Sequence, residues 1–193
     1  MAEQRRPTAA EARAEAEVQA AARRAERRSA DAARAASGEP AAEIPGRGWI
    51  VATWIMTGLF AITSTWATLD YAKDSLTVAD AVAAIVALGL FVLGSILFVV
   101  ALWWGAQRSR TSEMGIGGWF LLAGSAPTSV RLHLLGAVVA QIVIGVATAA
   151  ARPFSSLAFG TLVWVAGLAI CGCWGARYGE FPDRIDVEAR GRR

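Results

Sequence analysis

Four long apolar runs dominate the pattern of hydrophobic and polar positions along this chain. They cover roughly residues 49–69, 81–104, 132–151 and 155–175, and none of them contains Asp, Glu, Lys or Arg. Each run is about as long as the ~20 residues that an α-helix needs to cross a ~30 Å hydrocarbon core. The pattern therefore predicts an all-α membrane protein whose four transmembrane helices form a bundle.

The sequence that precedes the first run has a different pattern. Residues 8–36 are rich in Ala, Glu and Arg, and fourteen of them are alanine, the strongest helix former. Thr8 followed by Glu11 fits a capping box, and Ser37-Gly38 is a stop signal. Val18 is the only sizeable aliphatic side chain of the segment. A solvated helix, helical throughout or partly disordered, is therefore expected rather than a coiled coil.

The basic residues are unevenly distributed. Of the 19 Lys and Arg residues, 17 lie before the first run, between the second and third runs, or after the fourth. With four crossings these regions share one side of the membrane, and the positive-inside rule places that side in the cytoplasm. We therefore expect a multi-pass protein of the cytoplasmic (inner) membrane with both termini in the cytoplasm. Its parts are an arm over residues 1–36, a linker over 37–48, a transmembrane domain over 49–176 and a tail over 177–193.

Residues 114–126 form a shorter apolar stretch between the second and third runs. Its 13 residues are too few for a crossing, and a fifth span would move the C-terminal arginines out of the cytoplasm. We expect an interfacial or re-entrant segment with Trp119 and Phe120 near the lipid headgroups. The four spans need not cover it, so it is a candidate docking place for a partner or lipid. The candidate interaction residues there are Trp119, Phe120, Leu121 and Leu122.

Small residues recur on one helix face in every run, at steps of three, four or seven. The sets are Thr53, Thr57, Ala61, Ser64 and Thr68; Ala83, Ala87 and Gly94; Ala137, Gln141, Gly145 and Thr148; and Gly160, Gly167, Cys171 and Gly175. Such faces let helices approach closely in lipid. The pattern predicts a compact bundle, although the same faces would equally suit another membrane protein.

Few residues in the runs can carry chemistry. Gln141 is the most polar of them, and we expect its amide to hydrogen-bond to another helix, with a ligand contact as the alternative. Asp80 is expected to cap the second span. Cys171 and Cys173 point about 200° apart on a helix, so they and His133 do not predict a metal site. We predict no catalytic residue and no cofactor.

The tryptophans also suggest where the membrane lies. Trp49, Trp66, Trp103, Trp104 and Trp174 fall near the predicted edges of the spans, where indole rings favour the headgroup level. Trp54 and Trp164 fall deeper and are expected to pack inside the bundle.

Two stretches resemble a known family. They are Phe120-Leu121-Leu122-Ala123-Gly124-Ser125-Ala126-Pro127, and Phe159-Gly160-Thr161-Leu162-Val163 running on to Trp174-Gly175-Ala176-Arg177-Tyr178-Gly179-Glu180-Phe181-Pro182. Together they resemble small four-span integral membrane proteins of unassigned function from actinobacteria, over roughly residues 49–182. The resemblance implies an inner-membrane location and supplies no activity and no site residues.

The expected function is a non-enzymatic accessory or scaffold role, with the lipid bilayer and another membrane protein or a second copy as partners. Nucleic acid is not expected as a partner, because eight acidic residues nearly balance the nine arginines of residues 1–48 and no aromatic residues interleave. The alternative is a subunit of a small oligomeric transporter or channel. Exporters with four spans use an intramembrane carboxylate, which the four runs lack.

Overall fold

A computed structural model of the 193-residue chain describes residues 9–37, 44–70 and 77–182. Throughout those ranges the secondary structure is helical and contains no strand. The chain divides into two compact units. One comprises Met1–Ile44 and Pro182–Arg193, and the other is Pro45–Phe181.

The first unit contains a single described helix, α1, over Ala9–Ser37. It coincides with the helix predicted over residues 8–36. The α1 side chains that the structure describes are all exposed, including Val18 with 68% of its surface accessible. The expected cap at Thr8 and half of the expected linker, residues 38–43, lie outside the described residues.

The second unit contains the four apolar runs. Its elements are α2 (Arg47–Leu69), α3 (Val78–Arg108), α4 (Ile116–Trp119), α5 (Thr128–Ala151), a 3₁₀ helix (Ser156–Leu162) and α6 (Trp164–Tyr178). Within the described residues, four segments are long and apolar enough to cross a membrane: α2, α3, α5, and the 3₁₀ helix with α6. The predicted all-α membrane bundle is confirmed to that extent.

The spans alternate in direction, which contacts at both ends show. At one end Arg108, the last residue of α3, donates to the carbonyl of Ala176 near the end of α6. At the other end Arg152, directly after α5, donates to the carbonyl of Ala67 near the end of α2. We call the first the arginine end and the second the Asp80 end, because α3 begins there with Asp80 in its first turn.

The fourth span differs from the uniform helix expected over residues 155–175. Its first seven residues, Ser156–Leu162, are wound as a 3₁₀ helix, and α6 continues from Trp164. Such turns are frequent at helix N-termini, and Gly160 in the middle of the segment is a weak α-helix former. The Gly160 carbonyl lies against Gly145 of α5, where a Cβ atom would come within 2.6 Å of it.

This fourth span is the central helix of the bundle. More than half of its most apolar window is buried, against less than a quarter of that of α3. Backbone approaches backbone where α3 crosses α6: a Cβ atom on Gly94 would lie 2.6 Å from both the N and Cα atoms of Ala166. Contacts this close require hydrogen in place of a side chain.

The small-residue faces pack inside this bundle rather than on its surface. Those of α3, α5 and the fourth span are buried at every predicted position, and on α2 only Ala61 and Thr68 are half-buried. The alternative that these faces serve another membrane protein is therefore not needed to explain them.

Three tryptophans differ from the predicted pattern. Trp174 is fully buried, and its Nε1 donates to the carbonyl of Pro45 over 3.0 Å. Trp54 and Trp164, expected inside the bundle, are 43% and 37% exposed. Nearness to a membrane edge fixes the depth of a residue, whereas its burial depends on which side of the helix faces a neighbour. The predictions failed because they used depth alone.

The contact between Gly94 and Ala166 yields a stability prediction with an internal control. Gly94→Ala should lower the free energy of unfolding by about 1–3 kcal/mol, because the added methyl group forces α3 away from α6. Gly89→Ala, on the same helix with no atom within 4 Å of the added Cβ, should be neutral or stabilising by less than about 1 kcal/mol. Both changes in the free energy of unfolding are measured by titrating a denaturing detergent into the protein in mild detergent. Equal effects would contradict the close crossing.

Candidate functional site: the polar contacts of the bundle

The Asp80 end is held by a buried ion pair that the sequence pattern did not predict. Arg152 Nη1 lies 2.6 Å from Asp80 Oδ1, and Arg152 Nη2 donates to Asp80 Oδ2 over 3.1 Å. The exposed fractions of the two side chains are 12% and 1%. This two-pronged geometry is the strong form of an arginine–carboxylate contact. Charge and topology were the available signals, since the start of α3 with Asp80 and the end of α5 with Arg152 lie at the same end of the bundle.

Asp80 also organises the start of α3. It is the third residue of a capping box in which Thr77 Oγ1 accepts from the Asp80 N–H over 3.1 Å and Asp80 Oδ2 accepts from the Thr77 N–H over 3.2 Å. The expected capping role of Asp80 is thus present, with Thr77 as the N-cap. Ser156 donates to the Asp80 carbonyl over 3.4 Å. With Arg152 donating to Ala67 over 2.5 Å, one cluster joins all four spans.

Gln141 makes a polar contact between helices in the centre of the bundle. Gln141 on α5 is fully buried, and its Nε2 donates to Thr57 Oγ1 on α2 over 2.9 Å. The predicted hydrogen bond between helices is confirmed. The Gln141 Oε1 atom lies over Gly167 of α6, where a Cβ atom would stand 2.6 Å from it. Gln141 Oε1, and Thr53 Oγ1 four residues before Thr57 on α2, are buried without a hydrogen-bond partner in the described structure.

At the arginine end, Arg108 closes the C-terminus of α6. Its Nη1 and Nη2 atoms donate to the carbonyls of Ala176 and Gly179 over 2.8 and 2.5 Å, and its guanidinium carbon lies 5.5 Å from the centre of the Phe181 ring. The last carbonyls of a helix have no partner within the helix, so a cation there satisfies them and the negative end of the helix dipole. Arg108 is therefore a structural residue.

The segment over residues 114–126 does not cross the membrane region. It leaves α3 and enters α5 at the arginine end, and its only described helix, α4, is four residues long. Phe120 reaches inward to stack on Phe98 of α3, with ring centres 5.3 Å apart. Near the end of the segment, the carbonyl of Ser125 accepts a hydrogen bond from the Glu180 N–H over 2.9 Å.

Two of the four predicted interaction residues in this segment are core residues. Phe120 is 8% exposed and Leu122 is fully buried, so the expectation that the spans leave this apolar stretch uncovered is wrong at both positions. The physical reason is a recess in the neighbouring helices. Side chains at Gly105 and Gly172 would collide with the rings of Trp119 and Phe120, and Trp119 Nε1 donates to the Gly172 carbonyl over 2.9 Å.

The remaining apolar surface of the segment is small. Leu121 is 49% exposed and Ile116 is 77% exposed. Leu122 enters the recess with a left-handed backbone, φ 54°, a conformation that costs a bulky residue of order 1–3 kcal/mol. Its complete burial offsets that cost. Whether Trp119 and Leu121 contact a partner stays a prediction.

Candidate metal ligands and thiols are few in the described part of the chain. Residues 9–37, 44–70 and 77–182 contain no group of three or more His, Cys, Asp or Glu side chains placed to hold a metal ion. Cys171 and Cys173 are both buried thiols on α6, and Cys173 Sγ lies 3.4 Å from the Leu97 carbonyl of α3. Both fill small spaces in the packing of α6.

Comparisons with protein-family models, with curated proteins and with solved structures find no match to this chain. The resemblance to actinobacterial four-span proteins therefore stays a prediction.

The ion pair at the Asp80 end yields the second prediction. Asp80→Asn and Arg152→Gln should each lower the free energy of unfolding by about 3 kcal/mol, because each leaves one buried group without its partner charge. The double variant should cost less than the two single costs combined, with a coupling of at least about 1 kcal/mol.

Denaturation of the four proteins in one detergent measures this cycle. Arg131→Gln is the matched control, since Arg131 is exposed and its loss should change stability by less than about 0.5 kcal/mol. Additive single costs would show that Arg152 and Asp80 do not stabilise each other.

Proposed function

We propose that this protein is a non-enzymatic accessory or scaffold protein of the membrane. Its four-helix unit serves as a rigid anchor, and α1 supplies a surface for cytoplasmic or membrane partners. The observation that carries the proposal is that the buried carboxylate of the bundle is occupied in holding it together. Asp80, the one carboxylate within the four described spans, is paired with Arg152.

This pairing bears on the competing function. A coupled transporter binds protons or cations at an intramembrane carboxylate that is exchangeable with water. Asp80 instead accepts two bonds from Arg152 and closes the capping box of α3. Releasing it would open both the ion pair and the start of α3, which favours a structural role over a transport role.

Features of α1 support the partner-binding part of the proposal. It is 29 residues long and lies in a separate unit from the bundle. Its only sizeable aliphatic side chain, Val18, is 68% exposed. A long helix rich in charged side chains offers a polar surface to another molecule.

The alternative, a subunit of a small oligomeric transporter or channel, rests on one specific observation. Gln141 Oε1 and Thr53 Oγ1 are buried polar atoms without a described hydrogen-bond partner, and such atoms normally find one. In this reading the polar centre of the bundle contacts a solute.

A partner-capture experiment separates the two functions. Affinity purification of the full chain in mild detergent, followed by mass spectrometry, should recover a stoichiometric partner. Deleting residues 2–40 should abolish recovery and leave the melting temperature of the bundle unchanged, because the spans lie beyond the deletion. In parallel, the double variant Ile116→Asp and Leu121→Asp tests the exposed apolar surface of the segment over residues 114–126.

The outcomes are distinct. Recovery of a pure homo-oligomer without any stoichiometric partner would overturn the scaffold proposal and favour the transporter. Loss of the protein from the membrane after the deletion would show that the arm is part of the fold. Unchanged partner recovery after the deletion would show that the partner binds the bundle or the segment over residues 114–126 instead of the arm.

We further propose that the protein resides in the cytoplasmic membrane with both termini inside. The distribution of Lys and Arg supports this orientation. In a background without Cys171 and Cys173, a cysteine at Ser75 should react in intact cells with an impermeant thiol reagent, and a cysteine at Ser129 should not. Tags at residues 2 and 193 should likewise be inaccessible. The reverse labelling pattern would invert the topology.

A further inference from the structure

Two buried oxygen atoms in the centre of the bundle take part in none of its described hydrogen bonds. They are Thr53 Oγ1 on α2 and Gln141 Oε1 on α5, and both side chains are fully buried. Buried polar atoms of native proteins nearly always have a hydrogen-bond partner, either from the protein or from ordered water. Each of these two oxygens therefore needs a partner.

The Thr53 hydroxyl differs from two other buried threonine hydroxyls of α2. The Thr57 hydroxyl donates to the Thr53 carbonyl over 2.8 Å, and the Thr63 hydroxyl donates to the Leu59 carbonyl over 2.9 Å. Such a bond to the preceding turn satisfies a threonine hydroxyl within its own helix. The Thr53 hydroxyl makes no such bond within the described chain, so it is available to a group from outside α2.

Thr57 cannot satisfy the whole Gln141 amide. Gln141 Nε2 donates to Thr57 Oγ1 over 2.9 Å, and the Thr57 hydroxyl in turn donates to the Thr53 carbonyl. A hydroxyl has one proton to donate, so Thr57 has none left for Gln141 Oε1. That oxygen needs a donor from elsewhere.

Contacts at two levels fix how α2 lies beside the fourth span. At the arginine end Gly46 lies against Trp174, where a Cβ atom on the glycine would stand 2.8 Å from the indole Nε1. Nearer the Asp80 end Phe60 lies against Gly160, where a Cβ atom on the glycine would stand 3.0 Å from the ring. The two spans run in opposite directions, and between the two contacts each advances by 14 residues.

Thr53 and Gly167 are the midpoints of these two intervals, so they lie at about the same depth in the bundle. Gln141 Oε1 belongs to this level as well, because a Cβ atom on Gly167 would stand 2.6 Å from it. Thr53 also shares a face of α2 with Thr57, the residue that Gln141 contacts. The two oxygens therefore share one level and one side of α2.

We propose that one water molecule is bound at this level, where it accepts from the Thr53 hydroxyl and donates to Gln141 Oε1. Buried waters bind to polar groups that the protein itself leaves unsatisfied, with two to four hydrogen bonds each. Two neutral oxygens are too few for Mg²⁺ or Ca²⁺, which take six or more oxygen ligands. The water links α2 to α5 beside the direct bond between Gln141 and Thr57. It also gives a structural role to the two oxygens on which the transporter alternative rests.

The test is proton-detected solid-state NMR of the full chain in lipid bilayers, with magnetisation transferred from water to the protein. A cross peak between water and the Gln141 side-chain amide is expected. Thr53→Val keeps a similar shape and removes the hydroxyl, so the cross peak should be lost. Thr53→Ser keeps the hydroxyl and should retain the cross peak. The unmodified chain tests the proposal even if Thr53→Val does not fold.

Thr63→Val is the matched control. It removes a buried threonine hydroxyl from the same helix, but one that bonds to the carbonyls of Leu59 and Phe60 in its own helix. The water cross peak at Gln141 should keep its intensity in this variant.

Each of four results would overturn the proposal. The first is the absence of a water cross peak at Gln141 in the unmodified chain. The second is a cross peak that survives in Thr53→Val, which would show that Thr53 does not hold the water. The third is an equal loss in Thr63→Val, which would show a general loosening of the bundle. The fourth is a shift of the Gln141 amide signals when Na⁺ or K⁺ replaces an organic cation, which would identify a cation site and favour the transporter. These readouts are independent of the scaffold role, because they need neither a partner nor α1.

Discussion

The packing of the bundle depends on glycines along α6, which leave room for neighbouring helices and side chains. Gly167, Gly172 and Gly175 admit Gln141, Phe120 and Trp119 respectively, and Gly94 of α3 brings that helix onto the backbone at Ala166. In lipid there is no hydrophobic drive between helices, because acyl chains are as apolar as leucine, so association rests on van der Waals contact and hydrogen bonds. Close approach increases both. A single methyl group at a crossing would separate the helices and weaken many contacts at once.

The polar contacts follow from this packing. With α6 at the centre, Gln141 Oε1 lies over Gly167 and Gln141 Nε2 donates to Thr57 on α2. The ends have a different constraint, because the last carbonyls of each helix need donors. Arg108 satisfies α6 at the arginine end and Arg152 satisfies α2 at the Asp80 end. Two residues that look like ordinary flanking charges in the sequence are therefore the donors that close the helices.

The sequence was a good guide to the elements and a poor guide to their surroundings. Span number, the helix over residues 8–36 and the Gln141 contact between helices followed from length, propensity and spacing. Spacing also marked the small-residue faces, but it left open whether they pack within the bundle or against another membrane protein. The burial of Phe120, Leu122 and Trp174 did not, because it depends on which distant glycines face them across the bundle. Asp80 and Arg152 are 72 positions apart, so local sequence patterns could not predict their ion pair. Their shared side of the membrane reduced the number of possible partners for each.

The two ends of the bundle differ in what they leave for other molecules. At the Asp80 end the buried charges are used within the bundle, since Arg152 donates to both Asp80 and Ala67, and Asp80 also accepts from Thr77. At the arginine end one cation is consumed and the others remain exposed. Burial is costly for an ion unless it is paired, whereas an exposed arginine at the headgroup level costs little and attracts anionic groups. Among the described residues, the buried ion pair thus joins the spans at the Asp80 end, whereas most of the arginines at the arginine end are exposed.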